Sequence, residues 1–134
     1  MRIDCQSHIF PRAYIDVLAQ NPHPPQIELR GAAQGNSGRS GAQHGDEFII
    51  TYGDVQQFRL QEGMYSLDQK LQDMDRAGID IALISTNIPG PCMLAPDLAV
   101  KGAQAINDAI AEMIQQHPDP VSYTHLTLPT IYSV

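Results

Sequence analysis

The sequence predicts an α/β fold in which parallel strands alternate with helices, and three stretches carry that reading. Ile3 to Pro11 opens as a strand with a polar stripe. Ile79 to Ser85 is a nearly continuous apolar run broken by Asp80, which is how a strand buried on both faces of a parallel sheet reads. It follows directly on an amphipathic helix, Leu67 to Ala77, and precedes a second long one.

In the first stretch, Ile-Asp-Cys-Gln-Ser-His-Ile-Phe-Pro, strand alternation with period two puts Asp4, Gln6 and His8 on one face. Ile3, Cys5 and Ser7 fall on the other. Three polar groups facing a sheet interior cost free energy unless they bind something, so this face is a candidate site. A solvated strand face near a chain terminus is the alternative on spacing alone. Pro11 suits the first turn of a helix, with Tyr14, Ile15, Leu18 and Ala19 following at helical spacing until Asn21-Pro22.

Residues 22–46 are rich in Pro, Gly, Ser, Gln and Asn and predict a long loop with little regular structure, in which His23 and His44 are solvated. Phe48 to Tyr52 and Val55 to Leu60 flank Gly53-Asp54, a turn pair that predicts a hairpin within 47–61. Ser66 caps the helix Leu67 to Ala77, whose apolar positions are Leu67, Leu71 and Met74. Asp68 suits its first turn and Gly78 its left-handed end. Thr86 to Pro96 is a loop broken by Pro89, Gly90 and Pro91. The second long helix opens at Pro96 or Asp97, with Leu98, Ala105, Ile106, Ala109, Ile110, Met113 and Ile114 as its apolar stripe.

The 134 residues, 43% hydrophobic and 17% charged, suit a globular protein with a modest core. No apolar run approaches the roughly 20 residues that span a bilayer, and no basic region followed by an apolar segment opens the chain, so a cytoplasmic protein is expected. The net charge of -7, with scattered Lys and Arg, gives no footprint for nucleic acid or an anionic membrane. Cys5 and Cys92 lack metal-type spacing and read as free thiols.

The opening stretch resembles the start of the amidohydrolase-related family, the branch of the amidohydrolase superfamily with the aminocarboxymuconate-semialdehyde decarboxylases, resorcylate decarboxylases and related lactone hydrolases. Its first barrel strand ends in Asp-x-His-x-His, usually followed two residues later by proline, and both histidines bind a divalent metal. Asp4, Ser7, His8 and Pro11 fall in register here, and Gln6 stands at the first histidine position. Ser66 to Asp80 is similar to the helix that in the family ends in Met-Asp-x-x-Gly-Ile-Asp before the second barrel strand. Asn107, Asp108 and the end His117-Pro118-Asp119 also echo it.

The resemblance covers about residues 1–120 and implies the N-terminal part of a (β/α)8 TIM barrel, incomplete, with a small hairpin insert over its mouth. It implies His8 as a metal ligand and Gln6 as a weaker one, because an amide oxygen binds a borderline-soft ion such as zinc poorly. Thr86 and Asn87, at the C-terminal end of a barrel strand, would border a substrate pocket. On a hairpin over the mouth, Arg59 could sit beside a carboxylate-bearing substrate. A complete barrel needs eight strand and helix pairs in roughly 250 residues, and the family's remaining ligands and its catalytic acid or base come from later strands. The implied parent is a zinc-dependent hydrolase or non-oxidative decarboxylase acting on a small carboxylate, lactone or amide, with a homodimer as its expected assembly. No catalytic residue is expected in this chain, which should be inactive by itself.

Residues 121–134 read differently. Val121 to Thr130 resembles the translation of a transposase-end adapter used to build sequencing libraries, which predicts a non-native tail with no role for His125. A third strand from Val121 to Leu128 is the alternative. Two further readings stay open: a barrel relative that lost its metal through Gln6 and serves as a binding protein, and a short interaction protein of two strand and helix units.

Overall fold

A computed structural model describes residues 1–30, 47–53 and 56–123. Two three-stranded sheets share one apolar core. The first is parallel in the order β1 (Ile3–His8), β5 (Ile81–Ser85), β6 (Val121–Tyr123). The second is antiparallel in the order β2 (Gln26–Arg30), β3 (Glu47–Tyr52), β4 (Gln56–Leu60). Helices α1 (Arg12–Leu18), α2 (Leu67–Ala77) and α3 (Pro96–Gln116) connect and cover them.

The helices form where capping and periodicity place them. Ser66 Oγ accepts from the Gln69 backbone N–H at 3.3 Å, and Gly78 ends α2 at φ +67°, a left-handed conformation that costs a side chain-bearing residue. α3 starts at Pro96 and buries Leu98, Ala99, Gly102, Ala103, Ile106 and Ile110. Gly102 is where α3 meets α1: a Cβ there would stand 3.1 Å from the Tyr14 ring and 3.2 Å from Leu94 Cδ1. Tyr14 fills that space and donates its hydroxyl to the Pro89 carbonyl at 2.7 Å, tying α1 to the loop after β5.

Three expectations are revised. The loop predicted over residues 22–46 contains a strand, Gln26–Arg30, paired with β3. Its backbone partners lie more than 15 positions away, and Ile27 is buried against Ile50, so local composition does not reveal it. Residues 31–46, with His44, lie outside the described residues, as do Asp54 and Val55 of the hairpin turn. The strand after α2 buries Ala82 and Ile84, while Ile81, Leu83 and Ser85 on its other face are half-buried. Two-sided burial needs a second layer that the described residues do not supply.

The third revision concerns β1. Its register with β5 slips between Asp4 and Ser7, so that Cys5 and Gln6 stand against Leu83 alone. The bulge reverses the alternation beyond it. Asp4 and Ser7 lie beside Ala82 and Ile84, on the helix-covered face, whereas His8 lies beside Ser85 on the open face. Asp4 and His8 therefore do not share a face, contrary to the period-two expectation.

Residues 121–123 of the expected non-native tail form β6 beside β5, and residues 124–134, with His125, lie outside the described residues.

Candidate functional site

Polar groups gather where β1 and β5 end. His8 Nδ1 lies 3.1 Å from Ser85 Oγ. Nδ1 is thereby committed whichever tautomer is present, and Nε2 is the ring nitrogen left for a ligand. The next residue, Thr86, has a buried hydroxyl with no hydrogen-bond partner among the described residues. A buried hydroxyl without a partner is costly, and at a strand end it marks a place where a bound group would be stabilising.

On the helix-covered face, Lys70 Nζ donates to the buried Ser7 Oγ at 3.0 Å. Burial pushes the Lys70 ammonium below its ordinary pKa, against the opposing pull of Asp4 and Asp73. Gln6 is exposed and its backbone N–H donates to Asp4 Oδ1 at 3.1 Å.

The antiparallel sheet leans over the loop after β5. Tyr52 donates its hydroxyl to the Ile88 carbonyl at 2.7 Å. Between them lies an open groove of about 340 Å³ lined by Tyr52, Gln56, Phe58, Asn87 and Ile88. Strand alternation sends Arg59 to the opposite face of β4, where its Nε pairs with Glu47 Oε1 at 2.9 Å. The carboxylate contact expected of Arg59 is thus taken by a neighbour.

The structure brings His8 to the same strand ends as Thr86, and Asn87 into the groove. His23 is exposed, and His117 is the C-cap of α3, so neither joins them. Cys5 and Cys92 are free and exposed. Sequence reasoning missed Ser85, Tyr52, Gln56, Phe58 and Ile88. The signal for Ser85 was a polar residue closing an apolar strand. For Tyr52, Gln56 and Phe58 the signal was their shared face on the predicted hairpin, and Ile88 carried none.

The chemistry of the donor set tests whether a divalent metal fits. Among the described residues no three His, Cys, Asp or Glu side chains form a group that could hold one. A zinc site needs three or four donors, and one imidazole does not suffice. The residues present do not fit a metal by themselves, and no step is assigned through one.

No family profile and no curated protein sequence matches this chain. Among solved structures, the chain is similar to apo IDCase of Metarhizium anisopliae, with a TM-score of 0.64 and 23% identity. The match covers 87% of this chain and 32% of that one. The likeness shows the fold: a mixed α/β arrangement, with parallel sheet and helices, corresponding to part of a TIM-barrel enzyme with no barrel closed. The chain spans about a third of the length of this neighbour. No helix among the described residues is long and apolar enough to cross a membrane.

Proposed function

We propose that this chain is the N-terminal part of a (β/α)8 enzyme of the amidohydrolase superfamily, a hydrolase or non-oxidative decarboxylase acting on a small carboxylate, lactone or amide. The observation that carries the reading is His8 at the C-terminal end of β1, its Nδ1 engaged by Ser85, with a buried Thr86 hydroxyl that has no partner among the described residues at the end of the neighbouring strand. Barrel enzymes carry their chemistry at that end of the strands. The Asp4, His8 and Pro11 register runs along β1 and past its end, and the run Met74 to Asp80 leads into β5, the two parallel strands that the reading requires. The likeness to IDCase supports the barrel part of this reading through its fold.

In this reading Thr86 and Asn87 contact substrate, and further donors come from strands beyond β6. Metal dependence, with zinc as the expected ion, belongs to the parent protein. So do a homodimeric assembly and a cytoplasmic setting. The present residues orient one imidazole and shape one wall of the mouth, and the chain alone is inactive.

The test begins with the source gene, sequenced from the codon for Met1 to well beyond that for Pro120. The expected result is a frame that continues into further strands with a His and an Asp at strand ends. The encoded longer protein should release CO2 from ring carboxylates or open lactones when supplied with zinc, and His8→Ala should lower turnover by at least about a hundredfold. A longer frame without those residues, or a longer protein without turnover, would remove the enzyme reading, and turnover indifferent to His8→Ala would remove the role given to His8.

A second reading, a barrel relative that binds rather than catalyses, is favoured by Gln6, which is exposed and replaces an imidazole with an amide. It predicts that the later His and Asp are missing as well.

A further inference from the structure

Lys70 is a nucleophile-bearing residue that the site at the strand ends does not use. It stands in the first turn of α2 and reaches across to β1, where Nζ donates to Ser7 Oγ at 3.0 Å. Ser7 is 3% exposed, so its hydroxyl is a fixed partner rather than a solvated one, and the bulge in β1 is what turns it to this face. The amine is half-buried and within reach of a small solute. Two carboxylates lie nearby, and both have other partners. Asp73 Oδ1 pairs with Arg76 Nη2 at 3.1 Å and accepts from Gln69 Nε2 at 3.0 Å. Asp4 Oδ1 accepts from the Gln6 N–H at 3.1 Å. Lys70 therefore has no ion pair among the described residues, and its hydrogen-bond partner is a neutral hydroxyl. An ammonium half-removed from water and held by a hydroxyl loses hydration that a paired carboxylate would offset. Burial accordingly holds Lys70 below its ordinary pKa, although Asp4 and Asp73 pull the other way.

We propose that Lys70 is a covalent capture site for small uncharged aldehydes, which form an imine with Nζ. The inference goes beyond the enzyme reading and does not depend on it. The neutral amine is the nucleophile in imine formation, and partial desolvation is one way in which a lysine becomes reactive. The Nζ lone pair forms the N–C bond as the carbonyl π pair moves to oxygen. Ser7, in hydrogen-bond contact with Nζ, takes the proton that Nζ sheds and passes its own hydroxyl proton to that oxygen, giving a carbinolamine. Loss of water then leaves the C=N bond and needs no oxidant or reductant. Asp4 and Asp73 lie close enough to act on Lys70 electrostatically, so they repel an anionic aldehyde such as glyoxylate and leave the uncharged class favoured.

Lys101, exposed on α3, is the other lysine of the chain and serves as an internal reference. The full chain, kept dilute at neutral pH, is treated with propanal; imines are trapped with cyanoborohydride and located by peptide mass spectrometry. Lys70 should be alkylated at least about fivefold faster than Lys101. The ratio should fall as the pH rises towards 10.5, the ordinary lysine value, where the lowered pKa of Lys70 no longer sets it apart. In guanidinium chloride the preference should vanish, because the Ser7 contact and the burial are lost. Asp4→Asn keeps an acceptor for the Gln6 N–H and removes a charge that favours the ammonium. It should speed propanal capture at Lys70 by about twofold or more and glyoxylate capture by a larger factor. The α-amino group of Met1, which pairs with Asp80, lies on a separate peptide and enters neither comparison. Equal alkylation of the two lysines in the folded chain would overturn the proposal. A preference that survives denaturant, or an Asp4→Asn chain in which Lys70 reacts more slowly, would do the same.

Discussion

Tyr14 concentrates several of the forces that hold this chain together. Its ring is fully buried between α1 and α3, and its hydroxyl satisfies the Pro89 carbonyl at 2.7 Å. Tyr14→Phe keeps the ring and leaves that carbonyl without its partner, at a cost of about 1 to 2 kcal/mol, read from the urea midpoint. Burial, with smaller contributions from Cys92 and Tyr52, pushes the phenol well above its ordinary pKa of 10.0. The folded state keeps the proton while the unfolded chain loses it, so the stability associated with Tyr14 is fully present below pH 10.0 and falls as the pH rises beyond. Tyr14→Phe should therefore be less stable at neutral pH and show a shallower loss in alkaline solution. Parallel curves for the two proteins above pH 10.0 would contradict this. Lys70 acts in the opposite direction. Its depressed pKa penalises the charged form, and that penalty is relieved as the pH rises from its folded pKa towards 10.5.

Among elements, α1 and α3 cross closely at Gly102. Alanine at Gly102 would improve helix propensity by about 1 kcal/mol, yet its Cβ would press on a Tyr14 ring that the Pro89 bond holds in place. The crowding should win, and Gly102→Ala should lower the thermal midpoint by several degrees. A raised midpoint would mean that the ring yields. α2 was legible to its ends, because Ser66 and Gly78 are local signals that need no tertiary partner. β2 was not, because an edge strand is stabilised by its neighbour rather than by its own composition. The β1 bulge was invisible for the same reason: it exists only as a mismatch against β5, and it moved Asp4 to the opposite face from His8.

For the molecule as a whole, β1 and β6 are the two outer strands of the parallel sheet, each with one neighbour among the described residues. The face carrying Ile81, Leu83 and Ser85 is half-buried, and Ile3 beside it is 44% exposed. In a closed barrel that face is interior and every strand has two neighbours. The isolated chain should therefore bind a dye specific for apolar surface and associate as its concentration rises. A longer protein carrying the remaining strands should lose the dye signal and gain thermal stability, checked by sedimentation and calorimetry. Cooperative, concentration-independent unfolding of the 134-residue chain would instead favour a small self-sufficient protein.

The sequence by itself determined the helices, the hairpin and the parallel strand after α2, because caps, turn residues and periodicity act over a few positions. Only the tertiary structure decided which groups meet. It joined His8 to Ser85 across 77 positions, paired Arg59 with Glu47, and set Tyr52 and Phe58 facing Asn87 and Ile88 across a groove. Those encounters depend on strand register and on the way two sheets lean together. Both are fixed by long-range pairing and shared burial, which no short window of residues contains.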